Sequence, residues 1–383
     1  MTEKDRLKPG LAGAGRQEPP RQESPRQDLA RPEVARSNLL VVENLRVHYR
    51  LAGATALSRA KVLRAVEGLS FAIPRRGALG LVGESGSGKS TAAKAVMRLT
   101  PASGRAWLDG TDLLRLDGRA LRAVRPRLQM VFQDPFSSLN PRRRALEAVR
   151  EPMDLNRLGP KDRREERAAA LLAAVGLPPD SAKLFPHQFS GGQRQRLMIA
   201  RALATSPELL ICDEPVSALD VAVQAQILNL LAKLQAELGL TMLFISHDLG
   251  VVQRVCRQVA VMHLGRLMEL GPREEIFALP AHPYTWALLS AAMPGGPLRA
   301  SLRRVFKLTG EAPGPFEAIE GCAFSSRCPL VRPFCRRQAP PPLELGRGRV
   351  SACHLASETA ELGRSLVGGE IVSPAAPWPT STR

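Results

Sequence analysis

The stretch ALGLVGESGSGKS, residues 78–90, decides the fold of this chain. Its first five residues are apolar and predict a buried strand, and the glycine-rich turn after them leads into a predicted helix over 91–99. Glycines let backbone N–H groups curl around phosphates, and the positive end of the following helix faces the same anions. We expect Lys89 to reach the β- and γ-phosphates of a nucleotide and Ser90 to ligate Mg²⁺. The candidate phosphate-binding residues are Gly83, Glu84, Ser85, Gly86, Ser87, Gly88, Lys89, Ser90 and Thr91.

The pattern around this loop alternates short apolar segments with helical ones. Residues 39–42, 69–73, 209–212 and 242–245 are candidate strands, and 164–175 has helical spacing before Gly176. Such alternation predicts an α/β fold with a largely parallel sheet, preceded by an antiparallel portion.

Composition divides the chain of 383 residues into four parts. Residues 1–37 lack aromatic side chains and are rich in charged residues and proline, which predicts a disordered tail. The sequence predicts a nucleotide-binding domain over 38–275, a smaller proline- and arginine-rich extension over 276–356, and a flexible tail over 357–383. The start of the chain has no apolar core of a signal peptide, and the apolar runs are too short for a membrane helix, which predicts a cytoplasmic protein.

The net charge of +18 is compatible with nucleic acid or an anionic membrane face as a partner. The excess is nearly all arginine and is spread along the whole chain. We therefore interpret it as background composition rather than a dedicated polyanion site.

Three polar side chains follow two of the predicted strands. Asp213 and Glu214 come directly after 209–212, and His247 comes just after 242–245. The carboxyl ends of parallel strands meet at one edge of the sheet, where ligands bind. We expect Asp213 to face a metal and Glu214 an attacking water, whereas an exposed Asp-Glu pair or a lone His is more commonly structural.

A second glycine-rich element lies between the phosphate loop and Asp213. Ser190 with Gln193 three residues later matches a capping box that opens a helix, and Gly191 and Gly192 leave the helix start accessible to an anion.

These motifs, in this order, resemble the nucleotide-binding subunit of an ABC transporter over roughly residues 39–273. The resemblance implies a P-loop domain with a RecA-like parallel core, an antiparallel β portion and a helical subdomain. It also implies that two subunits enclose ATP, with Ser190, Gly191, Gly192, Gln193 and Asp220 of one subunit acting on the site of the other. In the first subunit it implies that Tyr49 stacks on adenine, Gln133 senses the metal and the water with Ser90 and Asp213, Glu214 is the general base and His247 contacts the γ-phosphate.

The segments 130–141, 214–221 and 282–285 narrow the resemblance to ATPases of oligopeptide/dipeptide importers, which also serve nickel. The implied partners are membrane permease subunits, a paired ATPase or a second copy of the chain, and indirectly an external substrate-binding protein. The implied location is the cytoplasmic face of the membrane. Where this family usually has tyrosine, the chain has His263.

Four of the six cysteines, Cys322, Cys328, Cys335 and Cys353, lie in the extension. In a cytosolic chain such a group favours a metal site over disulfides, and four thiolates suit zinc or an iron–sulfur cluster. The resemblance implies a [4Fe–4S] cluster. Cys212 and Cys256 have apolar neighbours and are expected in the core.

Two other functions are compatible with the motifs. One is a nucleic-acid-associated ABC ATPase, although the chain shows neither a second cassette nor a long coiled coil. The other is a regulatory subunit in which the iron–sulfur part matters more than hydrolysis.

Overall fold

A computed structural model describes residues 37–51, 61–134, 138–292, 297–306, 310, 313–314, 316–317 and 319–367. The tail predicted for 1–37 lies outside these ranges except for its last residue, and so do 368–383 and part of the motif at 130–141. Among the described helices, none has the length and apolar character that crossing a bilayer requires.

An antiparallel sheet forms the first layer and confirms the antiparallel portion expected from the sequence. Its strand order is β2–β1–β4–β5, and β1 pairs with both long neighbours, with Val42 opposite Phe71 and Ala106. The strands are β1 Asn38–Leu51, β2 Lys61–Pro74, β4 Ser103–Leu108 and β5 Thr111–Asp112.

The second sheet has eight strands and a parallel centre, as the alternating pattern predicts. Its order is β11–β12–β10–β9–β3–β8–β7–β6, and the strands from β9 to β6 run parallel. The strands are β3 Ala78–Val82, β6 Leu128–Val131, β7 Leu209–Asp213, β8 Thr241–Ser246, β9 Gln258–His263, β10 Arg266–Pro272, β11 Leu343–Gly346 and β12 Arg349–Ser351.

Helices cover both faces of this sheet, and α3 to α5 pack together as a helical region. Within the described ranges the helices are α1 Lys89–Val96, α2 Gly118–Val124, α3 Ala145–Leu155, α4 Arg164–Ala174, α5 Gly191–Leu203, α6 Val221–Leu238, α7 Leu249–Val255, α8 Arg273–Ala278, α9 Pro283–Ala292, α10 Pro297–Val305, α11 Pro333–Arg337 and α12 Ala356–Val367. Short 3-10 turns occur at Leu113–Arg115, Arg125–Arg127, Lys161–Arg163, Pro179–Lys183 and Pro186–Gln188.

The central strands are buried on both faces, which explains why they are apolar without alternation. Successive residues of β8 enter different cores: Phe244 packs with the helical region, whereas Leu243 and Ile245 pack with the antiparallel sheet. The neighbouring strand β3 pairs with β8 on one side and with β9 on the other, which fixes in the sheet the point where the following loop begins.

The extension joins the main sheet through its own strands. β12 pairs with β10, with Val350 opposite Leu270, and β11 completes a hairpin on β12 at the edge of the sheet. The cysteine-rich part is therefore continuous with the sheet that carries the phosphate loop.

The chain after Leu355 differs from the flexible tail expected for 357–383, because Ala356–Val367 is the helix α12. Leu362 and Leu366, one helical turn apart, pack with Trp286 in a separate small core. A side chain at Gly363 would clash with the Trp286 ring, so the glycine permits this contact. The helical spacing of these two leucines is the sequence signal for this helix.

Candidate functional site

The phosphate loop connects β3 to α1, and glycines give it its shape. Gly88 caps α1 with φ 99°, and a Cβ there would collide with the Ala65 carbonyl. The Nζ of Lys89 donates hydrogen bonds to the carbonyl oxygens of Gly83 and Glu84, both at 2.8 Å. Burial lowers the pKa of Lys89, whereas the carboxylates of Glu214, Asp213 and Glu84 raise it. The Lys89 ammonium group therefore lies inside the loop, where two of its hydrogen-bond acceptors are uncharged carbonyl oxygens.

Ser90 and Asp213 bring a hydroxyl and a carboxylate oxygen together next to the phosphate loop. Ser90 Oγ donates a hydrogen bond to Asp213 Oδ1 at 2.7 Å, and Asp213 is only 3 % exposed. Burial raises the pKa of Asp213, and the hydrogen bond from Ser90 lowers it. A hydroxyl and a carboxylate at this spacing fit a magnesium ion, which prefers oxygen and takes few protein ligands.

Three predicted catalytic side chains meet at the carboxyl ends of β6, β7 and β8. Glu214 Oε2 accepts a hydrogen bond from Gln133 Nε2 at 3.1 Å and lies 3.3 Å from His247 Nδ1. Glu214 has φ 45°, a left-handed conformation that costs energy for a side chain of this kind. Its backbone N–H donates to the Ile245 carbonyl at 3.0 Å, which stabilises the turn. The geometry places a carboxylate with a fixed orientation at the mouth of the loop.

Lys89, Ser90 and the three predicted catalytic side chains line one cavity of about 930 Å³. Tyr49 lines it too, and its hydroxyl is within hydrogen-bond distance of Thr100 Oγ1 at 3.0 Å. Gly83, Ser87 and Asp213 are outside the described lining of the cavity. The predicted residues at its wall are Tyr49, Glu84, Ser85, Gly86, Gly88, Lys89, Ser90, Thr91, Gln133, Glu214 and His247.

Ser190 opens α5 as the capping box predicts. Ser190 Oγ accepts from the Gln193 N–H at 3.3 Å, and Gln193 Oε1 accepts from the Ser190 N–H at 3.0 Å. Asp220 caps α6 by accepting from the Val223 N–H at 2.9 Å, and Gly192 packs closely on Val223. The two helix starts lie together, but the described lining of the cavity includes neither Ser190–Gln193 nor Asp220.

The cavity wall also contains residues that the motifs did not indicate. Arg64 and Ala65 come from β2, and Gly265 comes from the turn between β9 and β10. The extension contributes Glu317 and Ile319, and the Ile319 carbonyl accepts from Arg266 Nη2 at 3.2 Å. These residues carry no motif, and contacts between segments distant in the sequence bring them to the cavity, which a motif search does not reveal.

A second contact joins the extension to the phosphate loop. Arg327 Nη1 donates to Glu84 Oε2 at 2.8 Å, and Tyr284 Oη accepts from the Glu84 backbone N–H at 3.1 Å. Tyr284 is fully buried against His263 and Phe324, with ring centroids 4.5 and 5.2 Å away.

The cysteines of the extension are free thiols, and so are the buried core residues Cys212 and Cys256. Cys322 and Cys335 approach each other through the backbone, where the Cys322 N–H donates to the Cys335 carbonyl at 2.8 Å. Burial raises the pKa of Cys328 to about 12, and the charges of the other three cysteines add to this. Throughout the described ranges, no three His, Cys, Asp or Glu side chains are arranged to hold a metal ion.

The fold and the cavity define the class of protein as an ATP-binding cassette. The ABC transporter family model matches residues 66–217, and the model for the oligopeptide/dipeptide transporter C-terminal region matches residues 268–335. The chain belongs to the ATP-binding subunits of ABC transporters, within the group that carries this C-terminal region, and it hydrolyses ATP.

Curated relatives and solved structures agree with this assignment. A "probable peptide ABC transporter ATP-binding protein", y4tS of Sinorhizobium fredii, is 50% identical over 84% of this chain and 91% of its own length. The oligopeptide transport ATP-binding protein AppF of Bacillus subtilis is 45% identical over 83% of this chain and 98% of its own.

Among solved structures, the dimeric cassette MJ0796 in a post-hydrolysis state bound to ADP and Pi has a TM-score of 0.55. It is 29% identical and covers 61% of this chain and 98% of that one. The cbiO1 subunit of an ABC transporter complex from Clostridium perfringens has the same TM-score at 28% identity, over 63% of this chain and 91% of that one.

Proposed function

We propose that this ATPase drives a peptide importer from the cytoplasmic face of a membrane, through separate permease subunits. The observation that carries the proposal is the extension itself, which matches the oligopeptide/dipeptide transporter region and lines the nucleotide cavity with Glu317 and Ile319. The names of y4tS and AppF support peptides as cargo. The nucleic-acid alternative gains no support from these relatives.

Binding begins with Lys89, which exchanges the carbonyls of Gly83 and Glu84 for the stronger charge of the β- and γ-phosphates. The backbone N–H groups of the loop hold the same phosphates, and the Tyr49 ring stacks on adenine. Ser90, Asp213 and Gln133 would hold Mg²⁺, which would supply positive charge against the negative charge that develops on the phosphates.

Hydrolysis then depends on Glu214 as the general base. The Oε2 atom of Glu214 takes a proton from the attacking water. Gln133 and His247 hold this carboxylate oxygen in position. Only the Nδ1 side of the His247 ring faces Glu214, and the side chain is half exposed, so the ring can also contact the γ-phosphate.

The working unit is a dimer, because Ser190–Gln193 and Asp220 lie away from the cavity of their own subunit. A partner cassette presents its helix start to the γ-phosphate, where backbone N–H groups favour an anion. The partner is a paired ATPase or a second copy of this chain, and an external binding protein delivers the cargo to the permeases.

The proposal is tested by isolating the chain with its membrane partners and reconstituting the complex in lipid vesicles. We expect a loaded peptide-binding protein to stimulate ATP hydrolysis and to drive peptide uptake, and the same complex with Glu214→Gln to do neither. Hydrolysis stimulated by DNA or RNA but not by peptide would overturn the proposal.

We further propose that Cys322, Cys328, Cys335 and Cys353 hold a [4Fe–4S] cluster, with zinc as the alternative. Their gathering in one extension as free thiols, with the Cys322 N–H donating to the Cys335 carbonyl at 2.8 Å, supports a shared ligand. Ligation requires the side chains to turn towards one point and lose their protons.

Anaerobically purified full-length chain tests this second proposal. We expect about four irons per chain, and loss of iron in Cys328→Ser but not in the core variant Cys256→Ser. Zinc in place of iron would replace the cluster with the alternative, and a stable metal-free extension would overturn both.

A further inference from the structure

Arg327 reaches the phosphate loop from a position 243 residues further along the chain. Its side chain is only 8% exposed, and its contact with Glu84 is a single hydrogen bond between Nη1 and Oε2. The remaining Arg327 Nε and Glu84 Oε1 atoms are buried and have no hydrogen-bond partner within the described residues. The positive charge of Arg327 and the negative charge of Glu84 therefore stabilise each other.

Glu84 is held a second time, through its backbone. Its N–H donates to Tyr284 Oη, and Tyr284 is fixed by packing with Phe324, which precedes Arg327 by three residues. Both contacts to Glu84 therefore come from the extension, from Tyr284 and from Arg327, which follows the Phe324 ring that packs on Tyr284.

Glu84 is in turn linked to the ammonium group that binds phosphate. Its carbonyl accepts from Lys89 Nζ at 2.8 Å, and its carboxylate raises the pKa of Lys89. The position and charge of Glu84 thus affect how readily Lys89 leaves the loop for a nucleotide.

We propose that Arg327 and Tyr284 are positioning residues that hold the phosphate loop in its nucleotide-binding shape. The extension thereby sets the affinity for ATP, in addition to any role with permeases or a metal. This role of Arg327 and Tyr284 rests on the proposed binding of phosphate by Lys89 and is independent of the cargo.

The first test compares Arg327→Met with Arg332→Met in the full chain. Both variants remove an arginine of the extension from an ion pair, but Arg332 pairs with Glu358 in α12 rather than with the phosphate loop. We expect Arg327→Met alone to weaken binding of a fluorescent ATP analogue and to raise KM for ATP by about 3- to 100-fold, with kcat nearly unchanged. Equal effects of the two variants would overturn the proposal.

The second test separates positioning from general support of the fold. Arg327→Lys keeps one donor and should restore most of the affinity, because the native contact is a single hydrogen bond. In a double-mutant cycle, Glu84→Gln combined with Arg327→Met should bind ATP no more weakly than the worse single variant. Strictly additive losses, or no rescue by lysine, would contradict the direct coupling.

Tyr284→Phe tests the contribution of the Tyr284 hydroxyl group. The change removes the acceptor for the Glu84 N–H and leaves the ring packing intact. We expect weaker ATP-analogue binding and an unchanged melting temperature to within a few degrees. Parent affinity in this variant would exclude Tyr284 from the proposed role.

Discussion

At the scale of the residue, Glu214 combines a left-handed backbone with a carboxylate shared by two neighbours. A strained conformation persists only where the surroundings determine it, and here β7, β8 and Gln133 do so. The contacts with Gln133 and His247 fix the orientation of the Glu214 carboxylate, which would otherwise rotate freely in solvent.

For Glu214→Gln we expect kcat to fall by about 10²- to 10⁴-fold with ATP affinity retained, because the amide has the same shape but accepts no proton. Turnover and analogue binding of the purified chain measure the two effects. Glu208→Gln is the matched control, since Glu208 pairs with Arg127 at the opposite end of β7. A Glu214→Gln variant that hydrolyses ATP at the parent rate would remove the role given to this residue.

Two buried histidines make the protein sensitive to acid. Burial lowers the pKa of His263 to about 4 and that of His282 to about 3, against about 6.5 in the unfolded chain. Between pH 6.5 and 4 the unfolded state binds protons that the folded state excludes. The free energy of unfolding should therefore decrease as the pH is lowered through this range, by at most about 1.4 kcal/mol per pH unit for each imidazole.

Thermal melts of His263→Leu between pH 7.5 and 5 check this dependence. The variant should show a shallower loss of melting temperature on acidification, while exposed His187→Leu should keep the parent slope. Identical slopes for all three proteins would show that His263 does not exclude protons.

At the scale of the element, Ser190 serves the helix α5 and, in the proposed dimer, the nucleotide of the partner. Ser190→Ala should lose a cap worth about 1 kcal/mol. It should also lose a hydrogen bond to phosphate, which slows ATP hydrolysis by about 10-fold or more. Asp117→Ala is the matched control, because Asp117 caps the surface helix α2 in the same way.

Melting temperature and turnover of the two variants separate these effects. Both should lose similar stability, and only Ser190→Ala should lose turnover. If both variants kept full activity, the assignment of Ser190 to the partner's site would fail.

Elements with a strong local pattern were predictable, and those defined by distant contacts were not. The phosphate loop at 83–90 and the capping box at Ser190 follow from residue types at short spacing, so sequence alone located them. The hairpin β11–β12 has only four and three residues and is stabilised by pairing with β10, which no local pattern encodes. For the same reason Arg327 and Tyr284 carried no signal as neighbours of the phosphate loop.

At the scale of the whole molecule, one buried ion pair ties the extension to the main sheet. Arg349 Nη2 donates to Glu269 Oε1 at 2.9 Å, and Glu269 is fully buried. Glu269 also accepts from the Ala281 N–H at 2.8 Å, so one carboxylate joins β10, β12 and the segment before α9.

Arg349→Met should therefore lower the free energy of unfolding by about 3–5 kcal/mol, because it leaves a buried carboxylate without its charge partner. Arg347→Met is the control in the same hairpin, since Arg347 is 85% exposed in its pair with Glu275 and should cost less than about 1 kcal/mol. Denaturant unfolding of both variants measures the difference. Equal losses would mean that the buried pair adds no stability beyond a surface pair.

The pairing of β12 with β10 also bears on how the protein is handled as a gene product. A chain that stops where the nucleotide-binding motifs end would leave β10 as an open edge, with free backbone donors and acceptors facing water. Such edges recruit strands from other molecules, and a truncated cassette should accumulate as insoluble aggregate even though every nucleotide-binding motif is intact. Expression trials should accordingly keep the C-terminal hairpin.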